Sequence, residues 1–154
     1  MASEHFIGEE IYQILPHRYP IMVLDELHLE EGKGAEGIIR LREDEWFFSC
    51  HFPGRPMMPG FLLLEAMGQV LLATFIRQAG LHDRQVPMIM RVEDVSMRGT
   101  AFPGEVIVLR AVLDRFKYGI AKGSVRAFKG DRKDENVISS VRLGFAAPDT
   151  LSKQ

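Results

Sequence analysis

The apolar positions of the first forty residues predict a short helix followed by a β-hairpin. Residues 7–15 are predicted to form a helix that ends before Pro16, because proline has no backbone N–H and restricts the residue before it. Apolar and polar residues then alternate over residues 23–30, and again over residues 35–42 after the turn EGKG. A period of two is typical of half-buried strands, so these two segments are expected to pair as a hairpin.

A different pattern occupies residues 61–79, where apolar residues lie on nearly every face of a helix. Pro59 and Gly60 precede this segment and Gly80 follows it. A helix that is apolar nearly all round is a buried one. Strand-like runs follow at residues 87–98, 105–116, 120–129 and 135–146. The pattern therefore predicts an α+β fold in which a curved antiparallel sheet of about six strands wraps around one long central helix.

Length and charge favour a single domain without a general attraction to polyanions. The 154 residues suffice for one domain, predicted over residues 1–146, followed by a flexible tail at residues 147–154. With 19 basic and 21 acidic residues, the net charge of −2 predicts no general binding to nucleic acid or to an anionic membrane. The lone Cys50 excludes an intrachain disulfide, and no signal region or membrane span is expected, which is compatible with a cytoplasmic protein.

The main candidates for chemistry are His51, in a proline-rich loop, and Glu65, inside the apolar helix. Histidine can take up a proton and return it near neutral pH, and a desolvated glutamate can act as an acid. Glu65 lies in the second turn, where the helix dipole favours the carboxylate and opposes the effect of burial, so its pKa stays open. Gln69 lies one turn further on the same face and is expected to hydrogen-bond Glu65.

The start of the same helix is a third candidate for a role in the chemistry. The N–H groups near Gly60 and Phe61 have no partner within a helix, and they point outward at the positive end of the dipole. Gly60 has no side chain, so its backbone can approach a substrate closely. A base, an acid and a site for a negatively charged oxygen within twenty residues suit chemistry next to a carbonyl group.

Simpler interpretations exist for each of these residues. A single histidine in a loop is commonly structural, and a carboxylate near a helix start is commonly just a favourable dipole contact. The methionines 57, 58, 67, 88, 90 and 97 suit a core as well as a pliable apolar tunnel. A Cys50/His51 nucleophile is disfavoured because neighbouring side chains of an extended backbone point to opposite sides. No metal site is predicted, since the five histidines show no familiar ligand spacing: His5, His17, His28, His51 and His82.

Two segments resemble a known enzyme family. The stretch HFPGRPMMPGFLLLEAMGQ closely resembles the active-site segment of the 3-hydroxyacyl-acyl-carrier-protein dehydratases of bacterial fatty-acid synthesis, and ILPHRYPIMVLDEL resembles their N-terminal motif. The resemblance covers most of the chain. It implies the hot-dog fold, a dimer that forms a continuous double hot dog, and frequently a trimer of such dimers.

The resemblance also implies residue roles. His51 is then the catalytic base, Glu65 of the other protomer is the acid, and the Gly60 N–H binds the thioester carbonyl. A 3-hydroxyacyl thioester on the phosphopantetheine of acyl carrier protein would become a trans-2-enoyl thioester, without a metal or redox cofactor. The further residues assigned are Gln69 and Pro59 as supports, Phe52, Met58, Phe61, Met88, Met90 and Met97 along the acyl tunnel, and Arg91 and Arg98 for carrier docking.

Some positions depart from the family pattern. Glutamate at position 65 resembles the branch that only dehydrates, but Cys50 stands where glycine is common, and Met88 and Ile89 stand where an aromatic often lines the tunnel. The strand VEDVSM and Thr100 replace a usual IDxxRF-like strand and its following proline. A role in polyene or polyketide assembly therefore remains open, as do a hot-dog thioesterase and a non-catalytic partner subunit of a heterodimeric dehydratase.

Overall fold

Strands with alternating apolar and polar residues make up most of the molecule. They form one antiparallel sheet around a central helix. The structure, a computed structural model, describes residues 3–32, 34–81 and 85–147. Within these ranges the elements are β1 (Ser3–Ile7), a 3₁₀ helix (Gly8–Gln13), β2 (Glu26–Glu30), β3 (Gly34–Arg40), α1 (Gly60–Ala79), β4 (Met88–Met97), β5 (Val106–Lys117), β6 (Ile120–Lys129), a second 3₁₀ helix (Asp134–Asn136) and β7 (Val137–Ala146).

The seven strands lie in the order β1-β2-β3-β5-β6-β7-β4. Every neighbouring pair is antiparallel. The order makes β1 and β4 the two edges of the sheet. Since α1 lies between β3 and β4 in the chain, and β4 pairs with the last strand, the helix connects an inner strand of the sheet to its far edge.

Two glycines let α1 approach the sheet closely. A Cβ placed on Gly37 of β3 would lie 2.5 Å from Cγ2 of Val70, and a Cβ on Gly123 of β6 would lie 2.6 Å from Cδ1 of Leu71. Val70 and Leu71 are fully buried. Burying a Val or Leu side chain contributes about 1.5–3 kcal/mol. The close approach places the apolar face of the helix in the centre of the core.

The helix ends where Gly80 adopts a left-handed conformation, with φ of 62°. The Leu81 N–H donates to the Ile76 carbonyl across this turn, as in a Schellman cap. By length and composition α1 could span a bilayer, yet 67% of its apolar window is buried inside the protein. Such burial is typical of a core helix that packs against a sheet.

One element of the fold was not visible in the sequence pattern. About six strands were predicted, and the described residues form these together with a further short strand, β1. Only Phe6 of its five residues is buried, so the segment is too short and too polar for a pattern of period two to stand out. The helix predicted over residues 7–15 is a 3₁₀ helix that begins one residue after the start of that range, because Ile7 ends β1.

The structure describes only the first residue of the predicted C-terminal tail. The predicted tail begins at Ala147, whose N–H donates to the Gly119 carbonyl at 2.8 Å. The rest of that tail, residues 148–154, lies outside the described residues.

Candidate active site

His51 lies in a loop whose backbone is held on both sides. Its N–H donates to the Phe47 carbonyl at 2.9 Å, and its carbonyl accepts from the Met57 N–H at 2.9 Å. Phe47 and Phe48 are buried and anchor the start of the loop. The ring Nδ1 lies 2.9 Å from the Met57 carbonyl oxygen. A carbonyl can only accept, so Nδ1 carries the proton, and in the neutral imidazole Nε2 keeps the lone pair of a base.

Glu65 lies in the second turn of α1 and has two polar neighbours. Gln69 donates from Nε2 to Glu65 Oε1 at 3.1 Å, the contact expected for a spacing of four residues in a helix. The same amide nitrogen donates to the Ile21 carbonyl at 3.2 Å. His17 Nε2 lies 3.4 Å from Glu65 Oε1. Side chains from two separate parts of the chain therefore hold the carboxylate.

The surroundings of His17 favour the neutral imidazole. Burial lowers the pKa of His17, the Glu65 carboxylate opposes this with a smaller raising effect, and the Arg18 charge lowers the pKa further. His17 Nδ1 is buried and has no hydrogen-bond partner among the described residues. In this state His17 can donate from Nε2 without placing a full positive charge beside Glu65.

A cavity of about 400 Å³ opens beside Glu65. Its lining includes polar His17, Glu65 and Gln69 and apolar Leu72, Met88, Ile89 and Phe145. His51 does not line this cavity, and no hydrogen bond or ion pair joins it to Glu65 within the described part of the chain. The two predicted catalytic groups are therefore not in direct contact within one chain.

The start of α1 is the third part of the candidate site. Pro59 precedes the helix, and its carbonyl accepts from the Leu63 N–H at 3.1 Å. The space next to Gly60 is occupied by Met97 of β4, whose Sδ would lie 2.8 Å from a Cβ at that position. The absent side chain of Gly60 therefore admits a neighbouring strand, a reason for glycine that the sequence pattern did not reveal.

The residues predicted to line an acyl tunnel divide into two groups. Met58 is buried, at 4% exposure. The others are exposed in the single chain: Phe52, Phe61, Met88, Met90 and Met97. Of these six, only Met88 lines the cavity beside Glu65. A single chain therefore does not enclose a tunnel formed by these residues.

The two predicted docking arginines have neighbours on their own strand or just beyond it. Arg91 Nε lies 2.8 Å from a carboxylate oxygen of Glu93, and Arg98 Nε donates to Ser96 Oγ at 3.2 Å. The Cys50 thiol donates to the Phe47 carbonyl. This contact directs the thiol to a carbonyl of its own loop.

Sequence reasoning missed two groupings of polar residues. The motif PHRYP entered the sequence analysis only as part of the family resemblance, although its His17 is the residue that reaches Glu65. Two histidines and a glutamate, His5, His28 and Glu26, come together across β1 and β2. Linear spacing could not reveal this second group, because its members meet only through strand pairing.

Comparisons with known proteins show the family to which this chain belongs. The family model described as a FabA-like domain matches residues 15–138. The 3-hydroxyacyl-acyl-carrier-protein dehydratase FabZ of Thermus thermophilus is 32% identical over 136 residues, which cover 88% of this chain and 96% of that protein. The enzyme of the same name from Moorella thermoacetica is 37% identical over 142 residues, covering 92% and 96%.

Solved structures confirm the predicted hot-dog fold. The dehydratase heterocomplex ApeI:P from Xenorhabdus doucetiae matches with a TM-score of 0.71 at 16% identity, covering 93% of this chain and 95% of that chain. A hot-dog-like protein from Thermanaerovibrio acidaminovorans matches with a TM-score of 0.57 at 16% identity, covering 77% and 84%.

Proposed function

Because the chain belongs to the FabA-like domain family, we propose that it dehydrates 3-hydroxyacyl thioesters carried on acyl carrier protein, as an enzyme of fatty-acid biosynthesis. The observation that carries the proposal is the state of the two polar groups. His51 presents an unprotonated Nε2, and Glu65 stands in an otherwise mainly apolar cavity large enough for part of an acyl chain. Curated relatives at 32–37% identity bear the name of this enzyme.

The reaction requires two proton transfers. His51 Nε2 removes a proton from C2 of the substrate, and Glu65 gives a proton to the hydroxyl group on C3, which leaves as water. The C2–H and C3–O bonds break while the C2–C3 double bond forms, so atoms and charges balance. The elimination of water is redox-neutral overall, and His51 and Glu65 handle both proton transfers, so the proposed chemistry needs no metal and no redox cofactor.

The thioester carbonyl gains negative charge as the C2 proton leaves. The N–H groups at the start of α1, that of Gly60 first, are suited to stabilise this oxygen because they lie at the positive end of the helix dipole. Pro59 has no N–H and a fixed φ, so it supports a sharp turn into the helix. Met97 beside Gly60 would flank the bound thioester.

A complete site requires two chains. β4 is an edge strand, and its exposed apolar residues are Met88, Ile89, Met90, Val92, Val95 and Met97. An exposed apolar edge is suited to pairing with another strand. Pairing with β4 of a second copy about a two-fold axis would continue the sheet and allow His51 of one protomer to meet Glu65 of the other. A trimer of such dimers is the larger assembly that the family resemblance implies.

The proposed role of His17 is to position the acid. Its Nε2 and the Gln69 amide both contact Glu65 Oε1 and so restrict the carboxylate. Because burial keeps His17 neutral, it does not oppose protonation of Glu65 as a cation would. His17 is thus a positioning residue, whereas Glu65 contacts the substrate.

The carrier protein is proposed to dock at the mouth of this shared site. Acyl carrier proteins are acidic, and Arg91 and Arg98 provide local positive charge near β4 in a chain of net charge −2. The phosphopantetheine arm would then lead the acyl chain between Phe52, Phe61, Met88 and Met90 towards Met58. The cytoplasm is the compartment in which such a carrier and a free cysteine are expected.

The test is formation of the enoyl thioester by purified protein, followed by its absorbance. His51→Ala and Glu65→Gln should each lower turnover by about 10²- to 10⁴-fold, since each removes a proton-transfer group. Gln13→Ala, a change at an exposed residue of the first 3₁₀ helix that does not line the cavity beside Glu65, is the control and should keep wild-type turnover. Wild-type rates in both catalytic variants would refute the proposal.

The same assay separates the alternatives. Release of free thiol without enoyl product would indicate a thioesterase. An inactive pure protein that gains activity only with a related subunit would indicate a partner subunit of a heterodimer. A panel of short, long and unsaturated 3-hydroxyacyl carrier substrates, with products identified by mass, distinguishes ordinary fatty-acid substrates from those of polyene or polyketide assembly.

A further inference from the structure

A compact polar cluster lies on the outer face of the sheet, away from α1. His5 of β1 pairs directly with His28 of β2, and Glu26 is two residues along the same strand face as His28. The neighbouring positions Leu27 and Leu29 point the other way and are buried in the core. Because side chains alternate along a strand, the two histidines and the glutamate project together from the outer face.

The imidazoles of His5 and His28 both contact the same carboxylate oxygen of Glu26. His5 Nε2 lies 3.0 Å from Glu26 Oε2, and His28 Nε2 lies 3.3 Å from the same oxygen. All three potential ligand atoms lie within 4.8 Å of one another. In a tetrahedral zinc site with bonds of about 2.0–2.1 Å, ligand atoms are separated by roughly 3.3 Å. The two nitrogen–oxygen separations are close to the edges of such a tetrahedron.

From this geometry we propose that His5, Glu26 and His28 form a binding site for a divalent transition-metal ion of the zinc class, separate from the dehydratase site. Two imidazoles and one carboxylate are the ligand set that suits such an ion, and water completes the coordination, since His5 and His28 remain accessible to solvent. The two rings stack with centroids 3.8 Å apart. They rotate about their Cβ–Cγ bonds to direct both lone pairs at the ion.

Arg40 orients the Glu26 carboxylate and also lowers the expected affinity of the site for a metal ion. Its guanidinium contacts the other oxygen of Glu26, Oε1, at 2.6 Å. The contact orients the carboxylate so that Oε2 faces the imidazoles, as outer-shell partners of metal ligands commonly do. Its positive charge also opposes a cation nearby. The site is therefore expected to bind its ion reversibly, with the backbone of β1 and β2 already in place.

The experiment uses the full chain without an affinity tag, titrated with Co²⁺ and followed by visible absorption, with Zn²⁺ as competitor. One equivalent of Co²⁺ should produce the absorption bands of a tetrahedral ion, and Zn²⁺ should abolish them. His5→Gln, Glu26→Gln and His28→Gln should each weaken binding by about tenfold or more, because each removes a ligand. His51→Gln and Glu9→Gln are the matched controls and should bind as the wild type does.

A second measurement does not depend on the variants. Nitrogen chemical shifts of the imidazoles should change on Zn²⁺ addition for His5 and His28, and those of His17 should stay constant. Equal Co²⁺ binding in the wild type and the three ligand variants would overturn the proposal, as would zinc-induced shifts confined to other histidines. Enoyl formation in metal-free buffer should be the same in wild type and His5→Gln, which separates this site from the catalytic one.

Discussion

At the scale of single residues, the candidate site depends on how each polar group is held. The contact from His51 Nδ1 to the Met57 carbonyl decides which nitrogen can act as base, and the contacts from Gln69 and His17 decide the direction of the Glu65 carboxylate. The contact between Gln69 and Glu65 could be anticipated from their spacing of four residues, whereas the roles of His51 and Glu65 remain predictions that rest on the family resemblance. The contact from His17 could not be anticipated, because its approach to Glu65 depends on how the loop before β2 folds over α1.

The lowered pKa of His17 predicts a dependence of stability on pH. In the unfolded chain a histidine titrates near 6.5, whereas in the folded chain burial lowers the pKa of His17. At pH values between these two, the unfolded chain binds a proton that the folded chain does not, so stability falls as the pH falls. In His17→Gln this contribution is absent, and the free energy of unfolding should decrease less steeply below about pH 6.5.

Urea unfolding of the wild type and His17→Gln at a series of pH values measures this difference. The matched control is His28→Gln, which alters a half-buried histidine on the outer face of the sheet. Parallel curves for wild type and His17→Gln would contradict the prediction. In the enoyl assay, a role in positioning predicts that His17→Gln also changes the pH profile of turnover, which a purely structural role would leave unchanged.

At the scale of elements, hydrophobic periodicity was most informative where an element is long. Residues 61–79 were predicted as a helix and α1 spans Gly60–Ala79, and the strands after it match within one or two residues. The short β1 escaped detection because five residues with one buried side chain carry too little pattern. Strand order also lay beyond the sequence, since pairing of β4 with β7 joins segments that are distant along the chain.

The close contact between α1 and the sheet makes a prediction about two glycines. Gly37→Ala would bring a methyl group to 2.5 Å from Val70 and 3.0 Å from Leu24, so it should destabilise the fold by about 1–3 kcal/mol. Gly68→Ala is the matched control within α1, because its nearest neighbour would lie at an ordinary 3.8 Å. It should be neutral or stabilising by up to about 1 kcal/mol, since alanine favours helices.

Denaturant unfolding curves of the two variants provide the measurement. The double variant Gly37→Ala/Val70→Ala tests the cause, because removing the Val70 methyl groups should recover part of the loss due to Gly37→Ala. An equal effect of Gly37→Ala in both backgrounds would mean that the contact with Val70 is not responsible.

At the scale of the whole molecule, the question is how the two proposed catalytic groups, which do not contact each other within one chain, could act together. Two observations support the proposed assembly of two chains: the apolar residues of β4 are exposed, and His51 does not line the cavity beside Glu65. In a two-fold dimer of this kind each active site contains residues from both protomers. The sequence alone suggested this arrangement only through family resemblance.

Mixed dimers test the shared site. Co-expressed His51→Ala and Glu65→Gln chains pair at random, and each mixed dimer regains one intact site, so about one quarter of wild-type activity should return. Each variant alone should stay nearly inactive. Enoyl formation by separately purified and by co-expressed variants provides the comparison. If each site belonged to one chain, the mixture would be as inactive as its components.

If chains associate through the exposed edge strand β4, a charge placed on that strand should weaken dimerisation. Val92→Lys places a charge on the exposed apolar edge and should shift the protein towards monomers in sedimentation velocity, with a parallel loss of activity. Val112→Lys is the matched control, because Val112 is similarly exposed but lies on β5 within the sheet. Dimerisation that survives Val92→Lys unchanged would argue for another interface.

Because His51 and Glu65 do not contact each other within one chain, the specific activity is expected to depend on the protein concentration. If a catalytic pair forms only between chains, the turnover per chain depends on how many chains are associated. Below the dissociation constant of the dimer, specific activity should then fall with protein concentration and return when the protein is concentrated again. The specific activity would therefore follow the fraction of chains that are dimeric. A change in the amount of protein in the cell would then change the turnover per chain as well as the number of chains.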